Sequence, residues 1–231
     1  MADFTFAHRE EGFDNHIDKS IRYYKTLHDD IVAMSQYFIE DNTRTVDVGC
    51  STGKTIEAMI KLNQDTAPNA RYVGLEIADG FLAEMAQREG KLVANKHKVS
   101  LQRTRAEQYE YENCNLVTSI FTLQFMPDVA RREVVEKIYN GLNPGGAFIF
   151  AEKTLASNAK LQDMLTFLYY DFKRKSFDYN DIMEKEKTLR NMLKPMTYND
   201  LISMIQDAGF ESNKIQPFWQ NHLFVGVIAL K

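Results

Sequence analysis

The chain reads as an α/β protein built on a doubly wound, mostly parallel sheet. Three observations predict this. Apolar runs of strand length alternate with amphipathic stretches of helix length from residue 44 onward. The apolar spacing changes at that point from the three-and-four of a helix face to strand-like runs. A glycine-rich turn, "VDVGCSTGKT", stands where the first strand passes into the next helix. With 231 residues, 44% of them hydrophobic, the chain can bury one sizeable core, so 1–231 is read as one domain.

The elements follow in order. Ile17, Ile21, Tyr24, Leu27, Ile31, Met34 and Phe38 recur at helical spacing and predict an N-terminal helical segment within 1–40, as one helix or two in series. Then come a strand over 44–49, a helix over 53–62, a strand over 70–76, a helix over 78–90, and strands over 98–103 and 115–121. "PDVARREVVEKIYNGL" predicts a helix, with proline at its start and Gly141 near its end. "GGAFIFAEK" is the next strand. Residues 156–195 turn helical and read as an insertion that covers the mouth of a site or reaches a partner. A helix over 197–210 and strands over 214–220 and 223–231 close the chain.

Composition excludes several classes. No apolar run is long enough to span a bilayer, and the N-terminus lacks the apolar segment of a secretory signal. A formal net charge of −4 gives no general attraction for nucleic acid. A local basic cluster, Lys173-Arg174-Lys175, reads as a solvated helix face. Two cysteines, Cys50 and Cys114, give no disulfide framework and read as buried thiols of a cytoplasmic protein.

The glycine turn carries the chemistry. A triphosphate loop needs four residues between its glycines, because that length wraps the phosphates. Gly49 and Gly53 have three between them, and Val48 stands where the first glycine would be. The dinucleotide pattern also fails, because position 51 is serine. What remains is Asp-x-Gly-x-x-x-Gly at a strand end, with Asp47 placed to accept from an ammonium group. This resembles the cofactor loop of class I S-adenosylmethionine-dependent methyltransferases. Glu76 ends the second strand, where an acid can hold ribose hydroxyls, and "LNPGG" precedes the fifth strand. The resemblance implies a Rossmann-like seven-stranded sheet with its last strand antiparallel, and S-adenosylmethionine or its carboxy derivative as cofactor, with no metal.

A narrower resemblance runs over nearly the whole chain. "DFTF", "GCSTG", "FTLQF", "KIYNGLNPGGAFIFAEK", "YYDFKRK", "DAGF" and "VIALK" are similar in order to segments of the carboxy-S-adenosylmethionine synthase family. Those enzymes start from S-adenosylmethionine and prephenate, and their product serves tRNA wobble-uridine modification. Carried over, the resemblance implies ligand contacts at Tyr24, Gly49, Cys50, Ser51, Gly53, Glu76, Ile77, Arg105, Ala106, Ile120 and Phe121, and a homodimer. Three positions depart from the family. Arg105 stands where an aspartate reads adenine, and arginine cannot accept that hydrogen bond, leaving Glu107 or a backbone carbonyl. Ile120 replaces an asparagine. Glu186 replaces an arginine that pairs with the ligand's extra carboxylate, although Lys185, Lys187 and Arg190 are near. The fold therefore carries over more directly than the carboxyl-transfer product.

The first functional expectation is methyl transfer from S-adenosylmethionine to a small-molecule acceptor, with Tyr24 and Gln124 at the reacting end. Phe121, Phe125, Tyr169, Tyr170 and Phe172 are further candidate contacts, although aromatics at such spacing are more often core or dimer packing; for Gln124 contact and packing weigh evenly. A carboxy-S-adenosylmethionine synthase is the second expectation, with Lys185 or Arg190 supplying the missing cation. A non-catalytic binder of the cofactor is the third. A local contact with tRNA stays open, and no membrane partner is expected.

Overall fold

The computed structural model describes residues 12–231, so the "DFTF" segment lies outside the described residues. Five strands, β1 (Arg44–Val48), β2 (Arg71–Glu76), β3 (Lys98–Arg103), β4 (Cys114–Ile120) and β5 (Leu142–Leu155), pair in parallel. The chain runs outward from β1 to β3, then returns to place β4 and β5 on the other side of β1. A two-residue strand, β6 (Met196–Thr197), pairs only with the end of β5. β7 (Ile215–Asn221) and β8 (Phe224–Leu230) complete the order β3-β2-β1-β4-β5-β8-β7, with β8 antiparallel to both neighbours. The doubly wound sheet of the sequence reading, with its last strand antiparallel, is thus present.

Alternation along the strands feeds two cores. On β5, Ala147, Ile149 and Ala151 face one side with Leu27 and Ile31 of α2 (Tyr24–Met34) and Ile56 and Met59 of α3 (Lys54–Asn63). Phe148 and Phe150, stacked at 4.8 Å, face the other side. There they join Val134, Val135 and Ile138 of α5 (Asp128–Gly141) and Leu201 and Ile205 of α8 (Tyr198–Asp207). Each fully buried Val, Leu, Ile, Met or Phe among them contributes about 1.5–3 kcal/mol of transfer free energy, the alanines less. A period of two in a strand between two helical layers gives this two-faced burial.

The N-terminal segment takes the two-helix form that the spacing allowed, α1 (Phe13–Ser20) and α2, broken where Tyr23 takes a left-handed φ of 61°. The elements depart from the expectations in three places. The helix after β2 opens with a 3-10 turn at Asp79–Phe81, and α4 (Leu82–Ala94) runs past the exposed Gly90 because Leu92 beyond it is buried. β5 takes in the whole "LNPGG" turn, and the register with β4 shifts between Cys114 and Leu116 to absorb it. β6 was not expected from the sequence. The insertion forms α6 (Ala159–Lys173) and α7 (Tyr179–Leu189), and Asn158 caps α6 by accepting from the amides of Lys160 and Leu161. Among the described residues no helix is long and apolar enough to cross a membrane.

Candidate active site

The carboxyl ends of β1, β2 and β4 open on a cavity of about 730 Å³, at the point where the strand order reverses. The turn after β1 forms its floor. Gly49 and Gly53 hold φ of 74° and 80°, and Ser51 between them holds 53°. The amides of Gly49 and Cys50 donate to the Leu75 carbonyl at 2.8 and 3.0 Å, which ties the turn to β2. A Cβ on Gly49 would stand 2.0 Å from the Thr122 hydroxyl, so only glycine lets the two loops meet. Glu76 is buried and braces the same turn: one oxygen accepts from the Ser51 amide at 2.9 Å, the other from Ile77 and Ala78 at 2.7 and 2.8 Å.

Asp47 lies in the cavity wall, fully enclosed, with Thr118 Oγ1 donating to it at 2.7 Å. Burial pushes its carboxyl up to about 7; the Thr118 hydrogen bond opposes this and the nearby Glu76 charge adds to it. Ser51, in the cavity lining, has a buried Oγ without a hydrogen-bond partner among the described residues, a polar atom that a ligand could satisfy. Cys50 is a free, buried thiol beside Met85, pushed well up by burial, and Cys114 is also free and buried.

Beyond β2 and β3 the wall is made by Ile77, Ala78, Phe81, Arg105, Ala106 and Glu107. Arg105 donates to Glu107 Oε1 at 3.2 Å, so the arginine that breaks the family pattern orients a carboxylate at the same end of the cavity. α1 closes this side. Arg88 donates to the Thr52 carbonyl and hydroxyl, both at 2.7 Å, and pairs with Glu57 at 2.7 Å and Asp14 at 3.4 Å. Phe13 meets Phe81 edge-on at 4.9 Å.

The far end is aromatic and charged. Tyr24, buried and raised in pKa by that burial, stands 6.2 Å from Phe121, and Ile120, Phe125, Tyr169 and Phe224 share the lining. Gln124 lines the cavity too, but its side-chain oxygen accepts from the Lys153 amide at 2.8 Å, so it also fastens its loop to β5. Glu186 faces in from α7, 3.4 Å from Lys173 and 3.9 Å from Lys153. Both ammonium groups lie over the Tyr169 ring, at 4.9 and 5.4 Å. Lys185 Nζ is 3.0 Å from Nε2 of the buried His16, which links α7 to α1.

The expected site residues come together with few exceptions. Gly53 starts α3 behind the lining rather than in it, and Tyr170, Phe172 and Arg190 are not part of the wall. Lys173 is no solvated cation: it is 2% exposed and buried against Glu186 and Tyr169. Its neighbours in sequence gave no hint of this, because the burial comes from α7 folding back over α6. Phe13, Asp14, His16 and Ser20 were missed; the apolar face of α1 was legible, but its polar face gave no sign of turning inward. Lys153 was missed because it lies near the end of a strand that reads as plain core.

This arrangement offers hydrogen bonds and acids at one end and an enclosed aromatic space with cations at the other. Residues 46–148 match the Methyltransferase domain family. A carboxy-S-adenosyl-L-methionine synthase of Staphylococcus epidermidis is 30% identical over 220 residues, covering 95% of this chain and 92% of that protein. One from Methylococcus capsulatus is 32% identical, covering 95% and 89%. The chain belongs to the carboxy-S-adenosyl-L-methionine synthase family. It shares the fold of the pyocyanin biosynthetic protein PhzM, with a TM-score of 0.67 at 14% identity over 100% of this chain and 62% of that one. Human N-acetylserotonin methyltransferase, solved with S-adenosylmethionine, gives 0.58 at 16% identity over 100% and 59%. Family and fold make this chain an S-adenosylmethionine-dependent transferase. The cavity fits that cofactor: Ser51 Oγ lacks a partner among the described residues, and acids line one end.

Proposed function

We propose that the chain transfers a methyl group from S-adenosylmethionine to a small-molecule acceptor held between the loop after β4 and the insertion. One observation carries the choice of methyl over carboxyl transfer: Glu186 lines the far end of the cavity, and the two nearest lysines there face it. A carboxylated ligand would have to compete with Glu186 for Lys173 and Lys153, which already pair with it. A neutral methyl needs no cation there. Asp47 would accept from the cofactor's ammonium, Glu76 from its ribose and Glu107 from the adenine amino group. Asp47, Glu76 and Glu107 are acceptors, and each lies in the wall or at its edge. When bound, the cofactor's sulfonium supplies an electrophilic methyl; the protein's part is to hold an acceptor in line behind it and keep water out. Tyr24, Phe121 and Gln124 are placed for that part.

Carboxy-S-adenosylmethionine synthesis is the second reading, favoured by the names of the relatives and by Lys153 and Lys185 in the same wall. Mass spectrometry of the nucleoside that co-purifies with the protein decides between them. S-adenosylmethionine or S-adenosylhomocysteine is the expected result; carboxy-S-adenosylmethionine would favour the synthase reading instead.

A homodimer through the insertion also belongs to this reading. Leu161, Met164, Phe167 and Leu168 are all exposed on α6, an apolar stripe of the kind that marks an interface. Phe167→Lys should shift the species seen by analytical ultracentrifugation toward monomer. Two free buried thiols support a reducing, cytoplasmic setting.

A further inference from the structure

Behind the cavity wall lies a buried polar cluster that the transfer reaction does not use. Glu152, on β5, is enclosed, and its two oxygens accept from the amides of Leu123 at 3.0 Å and Gln124 at 2.8 Å. Those amides belong to the short loop after β4 that presents Phe121, Gln124 and Phe125 to the cavity. The Gln124 carbonyl accepts from the amide of Lys194, at the exit of the insertion, at 2.7 Å. Arg131, itself 2% exposed, donates one nitrogen to two carbonyls: Met126 in the same loop at 3.1 Å and Lys194 at 2.7 Å. Thr122 in this loop is the residue that packs on Gly49.

We infer that Glu152 and Arg131 are positioning residues that lock the loop after β4 to the insertion, so that cofactor turn, acceptor wall and insertion are set as one unit. A carboxyl group whose two oxygens each accept from one of two consecutive amides ties the backbone at two points, where a single bond ties it at one. A planar guanidinium bridging two carbonyls does the same for the joint between loop and insertion. Burial pushes the Glu152 carboxyl up to about 8, against Arg131 and the loop amides, which pull it down. The inference rests on the cofactor reading only for its last step.

Hydrogen exchange read by mass spectrometry on the full chain tests it, with S-adenosylhomocysteine as the added probe. Glu152→Gln keeps the shape but turns an NH₂ toward one loop amide. In that variant the amides of Leu123 and Gln124 should exchange at least about tenfold faster, while β1 and β4 keep their protection. Arg131→Lys, the milder variant, loosens the hold on the Lys194 carbonyl, so the Lys194 amide should leave the Gln124 carbonyl more often and exchange faster, while Leu123 and Gln124 stay protected. Added S-adenosylhomocysteine should protect the loop and α7 together in the wild type, and the loop alone in Arg131→Lys. Unchanged exchange at Leu123, Gln124 and Lys194 in the two variants overturns the inference. So does equal protection of α7 by the probe in Arg131→Lys. If the probe protects nothing in the wild type, the cofactor reading fails instead, and the ligand-free exchange alone decides the inference.

Discussion

At Gly49 the backbone takes a φ of 74° with the Thr122 hydroxyl in the space of a side chain. A left-handed conformation alone costs a non-glycine residue about 1–2 kcal/mol, and the overlap with Thr122 comes on top. Gly49→Ala should therefore weaken S-adenosylhomocysteine binding by more than about tenfold in a calorimetric titration, because the turn must move away from the cavity floor. An alanine variant that binds as the wild type does would show that the turn does not touch the cofactor. Glu186 is the other telling residue. Removing one partner of a buried pair costs about 3–5 kcal/mol, and Lys173 is the buried partner here. Glu186→Gln should lower stability in urea by an amount toward the low end of that range, since Glu186 itself keeps some exposure. A loss below about 0.5 kcal/mol would place the pair in the surface class.

Among the elements, α1 depends most on a few contacts. It is eight residues long, too short to hold as a helix on its own, and is fixed by Arg88 and by Lys185. Arg88→Ala should free the α1 amides, raising their exchange by about tenfold or more, while α3 and α4 stay protected; unchanged α1 exchange would mean that its apolar face suffices. The strands and the helices α3, α5 and α8 were legible in the sequence because their periodicity is set by the sheet they cover. The glycine turn was legible because its spacing is set by backbone geometry. The contents of the far end were not. Lys173, Lys153 and His16 become site residues only when helices distant in sequence fold over the same strand end, and no local pattern records that. Glu186 was placed through the family resemblance, and it does stand in the cavity wall.

Across the whole molecule, two enclosed carboxyls shape the response to pH. Burial pushes Asp47 up to about 7 and Glu152 up to about 8. In the unfolded chain such groups titrate near 4. Between those values the folded protein holds protons that the unfolded chain has released, so the ligand-free protein should lose stability as pH rises from about 4 to about 8. Thermal melts across that range check the sign. Cofactor binding should run the other way, since an ammonium prefers ionised Asp47: S-adenosylhomocysteine affinity should rise through about pH 7, and Asp47→Asn should flatten the rise. A flat wild-type profile would remove Asp47 from the cofactor's contacts.

The contact between Lys185 and His16 closes a bridge from α7 to α1 over the cavity. Contents held beneath such a bridge leave no faster than it opens. Departure is then governed by the opening of a protein joint and not by how tightly a given nucleoside is held, so ligands of unequal affinity should share one slow exit step. Release-paced turnover is the expected outcome, and a protein purified without added ligand should still carry the last molecule it bound; dissociation rates that differ from one nucleoside to the next in stopped flow would show that the joint does not set the exit.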